Sequence, residues 1–331
     1  MMSRSVQAFS KAIVAIWILT TCAFSEVKFS EPTTFFGMCD ASAGFALTDD
    51  LFIAADDESN ELRTYSRSRP GHPVSKLDLR SFLLIGHGDP ETDIEGSAQV
   101  GDTVYWITSH ARNKDGKPRP ARQRFFATQI SKTGQPTLQP AGKLYAGLLR
   151  DLSFDPQLKQ FGLYGASQLA PKDKGALNIE GLCSRPDGSL LIAFRNPVPN
   201  KKALLVPLLN PAELVAGKGA RAKFGPPIQL DFGGNGIRDL MQQNGTYYII
   251  AGAHNGRNDF QLYSWNGTDA PKMLHDWKGS FNPEAVVAVP GQPDKLIILS
   301  DDGSRKTKGT PCKMLPEAQR RFRTVLLTLE P

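Results

Sequence analysis

A chain of 331 residues, 40% hydrophobic and 22% charged, is long enough to bury a large core as one big β domain or two smaller ones. Its formal net charge of +6 is spread thinly. No long Lys/Arg block interleaved with aromatics occurs, which argues against nucleic acid as a partner.

Residues 1–25 read as a signal peptide. Arg4 and Lys11 supply positive charge, Ala12 to Phe24 form an apolar run too short for a stable membrane anchor, and Ala23 and Ser25 fit cleavage before Glu26. The competing reading, lipid attachment at Cys22 in Leu19-Thr20-Thr21-Cys22, is a poorer match because a threonine precedes the cysteine. The mature chain, residues 26–331, is expected to be one periplasmic or secreted domain without an integral membrane span. It keeps Cys39, Cys183 and Cys312, so at most one disulfide forms within it. If the chain ends meet, Cys39 with Cys312 is the natural pair and Cys183 a buried thiol. No C-x-x-C or His/Cys cluster argues for zinc.

One unit recurs along the chain. An acidic residue, joined by a glycine at Glu95-Gly96, leads a short apolar strand, a turn reverses it, and a second apolar strand ends in a polar loop. The unit opens at Cys39-Asp40-Ala41-Ser42, Asp93-Ile94-Glu95-Gly96, Asn178-Ile179-Glu180-Gly181, Gly236-Ile237-Arg238-Asp239 and Asn282-Pro283-Glu284-Ala285. Third strands follow at Arg124 to Ile130, Ala203 to Leu208, Phe260 to Trp265 and Phe322 to Leu329. Weaker fourth strands are expected at Val74 to Leu79, Pro227 to Phe232 and Lys272 to Trp277.

This pattern predicts an all-β fold, a β-propeller of five recognisable repeats and five or six blades. The fifth repeat lacks a fourth strand, and Val27-Lys28-Phe29 is expected to supply it and close the ring. Residues 145–177 leave either a degenerate sixth blade or a helical insertion. Asn210-Pro211-Ala212-Glu213 signals a short helix, and Asn244-Gly245 and Asn266-Gly267 read as hairpin turns in place of glycosylation sites.

In a propeller, the segments leading the inner strands and the loops ending the second strands share one face. Asp40, Glu95, Glu180, Asp239 and Glu284 are therefore expected to ring one channel mouth, where a hard, oxygen-liganded ion such as calcium would offset their repulsion. The alternative is that each caps backbone N–H groups of the neighbouring blade. The second-strand loops add Arg112, Asn113, Arg195, Asn196 and Asp301 as substrate contacts, and Arg112 and Arg195 are expected to pair with the glutamates. Glu95, Glu180, His110 and His254 are the candidate catalytic groups. No G-x-S-x-G occurs, Ser109 beside His110 is a weak nucleophile pair because adjacent strand residues face opposite ways, and Trp106 reads as core.

The runs Cys39-Asp40-Ala41-Ser42, Asp93-Ile94-Glu95-Gly96, Trp106 to Lys114, Asn178-Ile179-Glu180-Gly181, Phe194-Arg195-Asn196-Pro197 and Ser300-Asp301-Asp302-Gly303 resemble the bacterial domain-of-unknown-function family numbered 3616. That resemblance implies a propeller-like fold and assigns no activity. A looser likeness to the secreted esterase-like phytase group implies phosphate-ester chemistry by analogy alone. The resulting expectation is an exported propeller that binds a small anionic ligand at an acidic mouth, with calcium-assisted phosphate-ester hydrolysis as its chemical version. The alternative is a non-enzymatic binding or scaffold protein of the cell envelope that uses the same face for a protein or glycan partner.

Overall fold

The computed structural model describes residues 26–56, 58–86, 91–131 and 134–330. The signal-peptide reading, Cys22 and Asp57 lie outside them. Five antiparallel sheets, four of four strands and one of five, form a five-bladed β-propeller. From the channel outward, the first blade runs Ala41–Ala46, Leu51–Asp56, Glu61–Ser66, Ser75–Asp78, and the second Ile94–Val100, Thr103–Thr108, Phe125–Ser131, Thr137–Tyr145. The third is Asn178–Ser184, Leu190–Asn196, Ala203–Leu208, Ile228–Leu230, and the fourth Gly236–Gln243, Thr246–Gly252, Phe260–Trp265, Lys272–Trp277. Each inner strand lies against the next, and the fifth, Pro283–Ala288, returns to the first.

The second strands are continuous apolar runs because neighbouring blades cover both their faces. Leu51–Asp56 and Leu190–Asn196 are buried at every residue. The outermost strands meet solvent on one side and are correspondingly polar, as in Ser75–Asp78. One apolar core fills each blade junction. Phe45, Ile53, Trp106 and Phe126 join the first two blades, for example, and Leu191, Leu205, Ile237 and Trp265 join the third and fourth. Trp106 is fully buried, its indole N–H donating to Thr128 Oγ1 at 3.0 Å.

Closure follows the expected route: Glu26–Phe29 pairs antiparallel with Arg321–Glu330 and is the fifth blade's outermost strand. A second N-terminal strand, Thr33–Phe36, joins the same partner further along and was not legible in sequence. The closure is covalent as well, through a Cys39–Cys312 disulfide, while Cys183 is a buried free thiol. Residues 145–177 form the helical insertion and no sixth blade. Leu148–Phe154 and Leu163–Ala166 pack Leu148, Leu152 and Leu163 onto the core between the second and third blades. The short helix Pro211–Val215 starts where expected, although Asn210 uses its amide on Glu213 and leaves the helix N–H groups uncapped. Asn244 and Gly245 both have left-handed backbones in a two-residue hairpin turn.

Among the described residues no helix is long and apolar enough to cross a membrane. A disulfide joining the two ends of the chain suits an oxidising compartment.

Candidate functional site

Every inner strand carries a register shift at the same place, which leaves one of its residues without a partner across the ladder. These residues are Ser42, Glu95, Glu180, Arg238 and Glu284. A bulge bends the strand and re-aims the extra side chain. The channel is thus ringed, in blade order, by a serine, two glutamates, an arginine and a glutamate.

Arg238 bridges its neighbours on both sides. Its Nε stands 3.0 Å from Glu180 Oε2 and donates to Glu284 Oε2 at 3.2 Å, and its Nη2 donates to Glu284 Oε1. Glu180 Oε1 also accepts from Arg195 Nη1 at 2.6 Å and from the Asn178 amide at 2.7 Å. Glu95 has no such partner: among the described residues no lysine or arginine forms an ion pair with it, although it is buried. One carboxylate oxygen from each of Glu95, Glu180 and Glu284 lies within 4.8 Å of the other two.

Burial dominates the electrostatics. It pushes the Glu95 carboxyl well above the usual range, with Asp93, Glu180 and Glu284 adding to the effect. It also lifts Glu284 to about 7, partly offset by Arg238. Burial pulls the Arg238 guanidinium down, but Glu180 and Glu284 more than offset this and leave it raised. Asp93, held 2.7 Å from Arg122 Nη1, is lifted by burial to about 6.

These residues floor a cavity of about 590 Å³ at the channel mouth. Its wall adds Asp40, Asp301, Asn113, Asn178, Asn282 and Arg122, and exposed Lys114, Lys172, Arg257 and Lys313 stand at its edge. The buried lining therefore sets carboxylates among Arg195 and Arg238, and the exposed charged residues of the rim are all basic. Asp40 and Asp301 bridge the fifth and first blades. Burial works against ionisation of Asp301, but hydrogen bonds from Asp40 and the Gly303 N–H hold it below the usual carboxylate range. A hydrogen bond between two carboxyl groups needs a proton between them. Several buried polar atoms of this wall have no hydrogen-bond partner: Asn178 Oδ1, Arg195 Nε, Asn282 Oδ1 and Arg122 Nε.

The structure thus gathers Asp40, Glu95, Glu180, Glu284, Arg195, Asn113 and Asp301 at one mouth and sends the other expected residues elsewhere. Asp239 follows its bulge residue and faces the neighbouring blade. Its Oδ2 accepts the Val286 N–H at 2.8 Å, and it lines a separate cavity of about 490 Å³ with Cys183 and Met241. It stands where the second and third blades have Gly96 and Gly181; a Cβ on Gly96 would come within 2.7 Å of Leu182 N. For Asp239 the capping alternative holds.

Arg112 does not pair with the glutamates. It donates to the Ser167 and Gly116 carbonyls and to Gln168, tethering the helical insertion. Asn196 is likewise buried, its amide donating to the Pro171 and Asp173 carbonyls. His110 is buried away from the cavity lining, with Nδ1 on the Thr108 carbonyl at 2.7 Å and Nε2 unpartnered. His254 is half-buried beside the lining residue Ala253, and burial together with Arg195 lowers its pKa.

Sequence reasoning missed Arg238, the residue that links three blades, together with Asn178, Asn282, Lys172 and Arg257 as wall and rim residues. Arg238 sat inside the recognised fourth repeat, one position before the acid taken for its equivalent. Only the strand register shows which of the two faces the channel.

The chain matches the family described as a protein of unknown function, DUF3616, over residues 138–294. No curated protein matches it. Among solved structures, glutaminyl cyclase from Myxococcus xanthus is similar at a TM-score of 0.47 and 12% identity, covering 92% of this chain and 97% of that one. The PQQ-bound aldose sugar dehydrogenase from Streptomyces coelicolor is similar at 0.46 and 14%, covering 92% and 100%. The β-propeller domain of Cps50 (Swd1) from Myceliophteria thermophila is similar at 0.39 and 10%, covering 88% and 98%. Likeness at this level says nothing of ligand or activity.

Proposed function

We propose that this propeller binds a small anionic ligand at the channel mouth, and that the chemistry best matched to the site is calcium-assisted hydrolysis of a phosphate ester. The observation that carries the reading is the layering of charge within one cavity of about 590 Å³: carboxylates at the floor, and Arg122, Arg195, Lys172, Arg257 and Lys313 along the wall and rim. A basic rim draws an anion in, and guanidinium groups hold phosphate oxygens in a fixed geometry. When bound, a divalent cation polarises a phosphoryl oxygen and lowers the pKa of water.

The residues divide the remaining work. Arg195, anchored on Glu180, and Arg122, anchored on Asp93, bind the ester's charge. The Asp40–Asp301 pair already shares a hydrogen bond, so it can give a proton to the departing oxygen and take one back from water. His110 and Arg112 drop out because neither lines the cavity. The disulfide supports a periplasmic or secreted location.

A second reading, a non-enzymatic binding protein of the cell envelope, is favoured by one observation: the ring's ion pairs join the third, fourth and fifth blades, as a purely structural ring would. Phosphate release from an aryl phosphate ester, followed with calcium and with chelator, separates the two. Calcium-dependent turnover supports hydrolysis. Absence of turnover, whether or not phosphate binds, sinks hydrolysis and leaves the second reading, and binding of no anion at all also overturns the mouth as an anion site.

A further inference from the structure

We infer that the channel holds a single hard divalent cation against Glu95, Glu180 and Glu284, with Arg238 standing where the same ring would otherwise take a second one. The inference deepens, and rests on, the reading of the mouth as a ligand site. It adds which residues hold the ion and how many ions they hold.

The first argument is geometric. Three of the five equivalent bulge positions carry glutamate, each from a different blade, and one oxygen of each lies within 4.8 Å of the others. An ion about 2.3–2.6 Å from its oxygen ligands accommodates ligands across it up to roughly 5 Å apart, so one ion touches all three. The second argument is charge. Arg238 and Arg195 contact Glu180 and Glu284, which leaves Glu95 as the unpaired carboxylate. Ser42, the neighbouring ring position on that side, is short and donates to the Ile94 carbonyl, so it brings no charge of its own.

The third argument is independent of the carboxylates. Asn178 is 5% exposed and lines the same cavity with its Oδ1 unpartnered. Its amide N–H donates to Glu180 Oε1 at 2.7 Å, which fixes which end of the amide is the free acceptor. The Oδ1 of Asn282 is a second buried acceptor without a donor in the same wall. Amide and carboxylate oxygens together make a ligand set for calcium, magnesium or manganese, and no histidine or cysteine lines the cavity to favour zinc or copper. The positive charge of Arg238 then explains why the ring takes one ion. A second cation between Glu180 and Glu284 would have to displace a guanidinium bonded to both oxygens of Glu284.

The experiment is calorimetric titration of the intact mature protein with calcium alone, repeated with manganese alone and read by electron paramagnetic resonance. The expected result is one ion per chain. Glu95→Gln should weaken binding at least 100-fold while its metal-free melting temperature stays at the wild-type value, because Glu95 forms no ion pair to lose. Calcium should raise the wild-type melting temperature and leave that of Glu95→Gln unmoved. Asp239→Asn should bind as wild type does. No binding, two ions per chain, or equal affinity in Glu95→Gln overturns the inference. Phosphate bound by a protein that takes no cation would overturn it while leaving the mouth's anion reading intact, and a cation bound without any anion would do the reverse.

Discussion

Arg238 Nε stands 3.0 Å from Glu180 Oε2 in the preceding blade, and both groups are buried. Because the same guanidinium holds Glu284 of the following blade, one side chain neutralises charge across two blade junctions.

Removing that guanidinium leaves two buried carboxylates short of a partner. Arg238→Met should destabilise the protein by about 3–5 kcal/mol, the usual cost of breaking a buried pair from one side. Adding Glu180→Gln to Arg238→Met should recover part of the loss, so a double-mutant cycle by urea unfolding should show non-additivity. Strictly additive losses would mean that the pair carries no coupling.

Asp239 is expected to matter for stability and for nothing at the mouth. Its Oδ2 is the acceptor for the Val286 N–H, and Asn offers an oxygen in the same place. Asp239→Asn should therefore be close to neutral. Asp239→Ala orphans a buried N–H and should cost about 1–3 kcal/mol. Urea midpoints compare the two, and equal losses would show that the hydrogen bond is not what the carboxyl provides.

His110 should make the fold acid-sensitive. Burial lowers its pKa to about 4, with Arg124 adding to the effect and the Thr108 carbonyl opposing it. An unfolded histidine takes its proton below about 6.5. Between those values the unfolded state binds the extra proton, so His110 stabilises the fold fully above pH 6.5 and loses that contribution as pH falls toward 4. The loss is about 3 kcal/mol in total. Its backbone is left-handed, at φ 55°, which Asn tolerates. His110→Asn should flatten the stability slope in this window by close to one proton, measured as unfolding free energy across a pH series. An unchanged slope would place the acid sensitivity elsewhere.

How far the sequence could be read depended on what the pattern encoded. Apolar second strands such as Leu190–Asn196, the Asn244-Gly245 turn and the unpaired Val27-Lys28-Phe29 are local signals. They located the blades and the closing strand within a residue or two. The ring was harder, because a single-residue slip in a strand moves every side chain to the other face. Glu95, Glu180 and Glu284 fell on the bulge, whereas in the first and fourth repeats the bulge residues are Ser42 and Arg238, and the acids taken in their place, Asp40 and Asp239, sit two positions before and one after. Arg112 was misread for a related reason. A strand-end position fixes where a side chain begins, but the carbonyls of Ser167 and Gly116 that capture it belong to an insertion and a loop whose paths have no repeat to follow.

The closing strand also bears on the order in which this molecule can be built. Among the described residues, Glu26–Phe29 is the first strand in chain order, and its partner, Arg321–Glu330, is the last. Until that partner exists, four blades can assemble as an open arc, and Glu26–Phe29 and Thr33–Phe36 have no strand to pair with. Such an arc is the species most exposed to pairing with a second copy of itself. Closure of the ring therefore waits on pairing between strands at opposite extremes of the described residues.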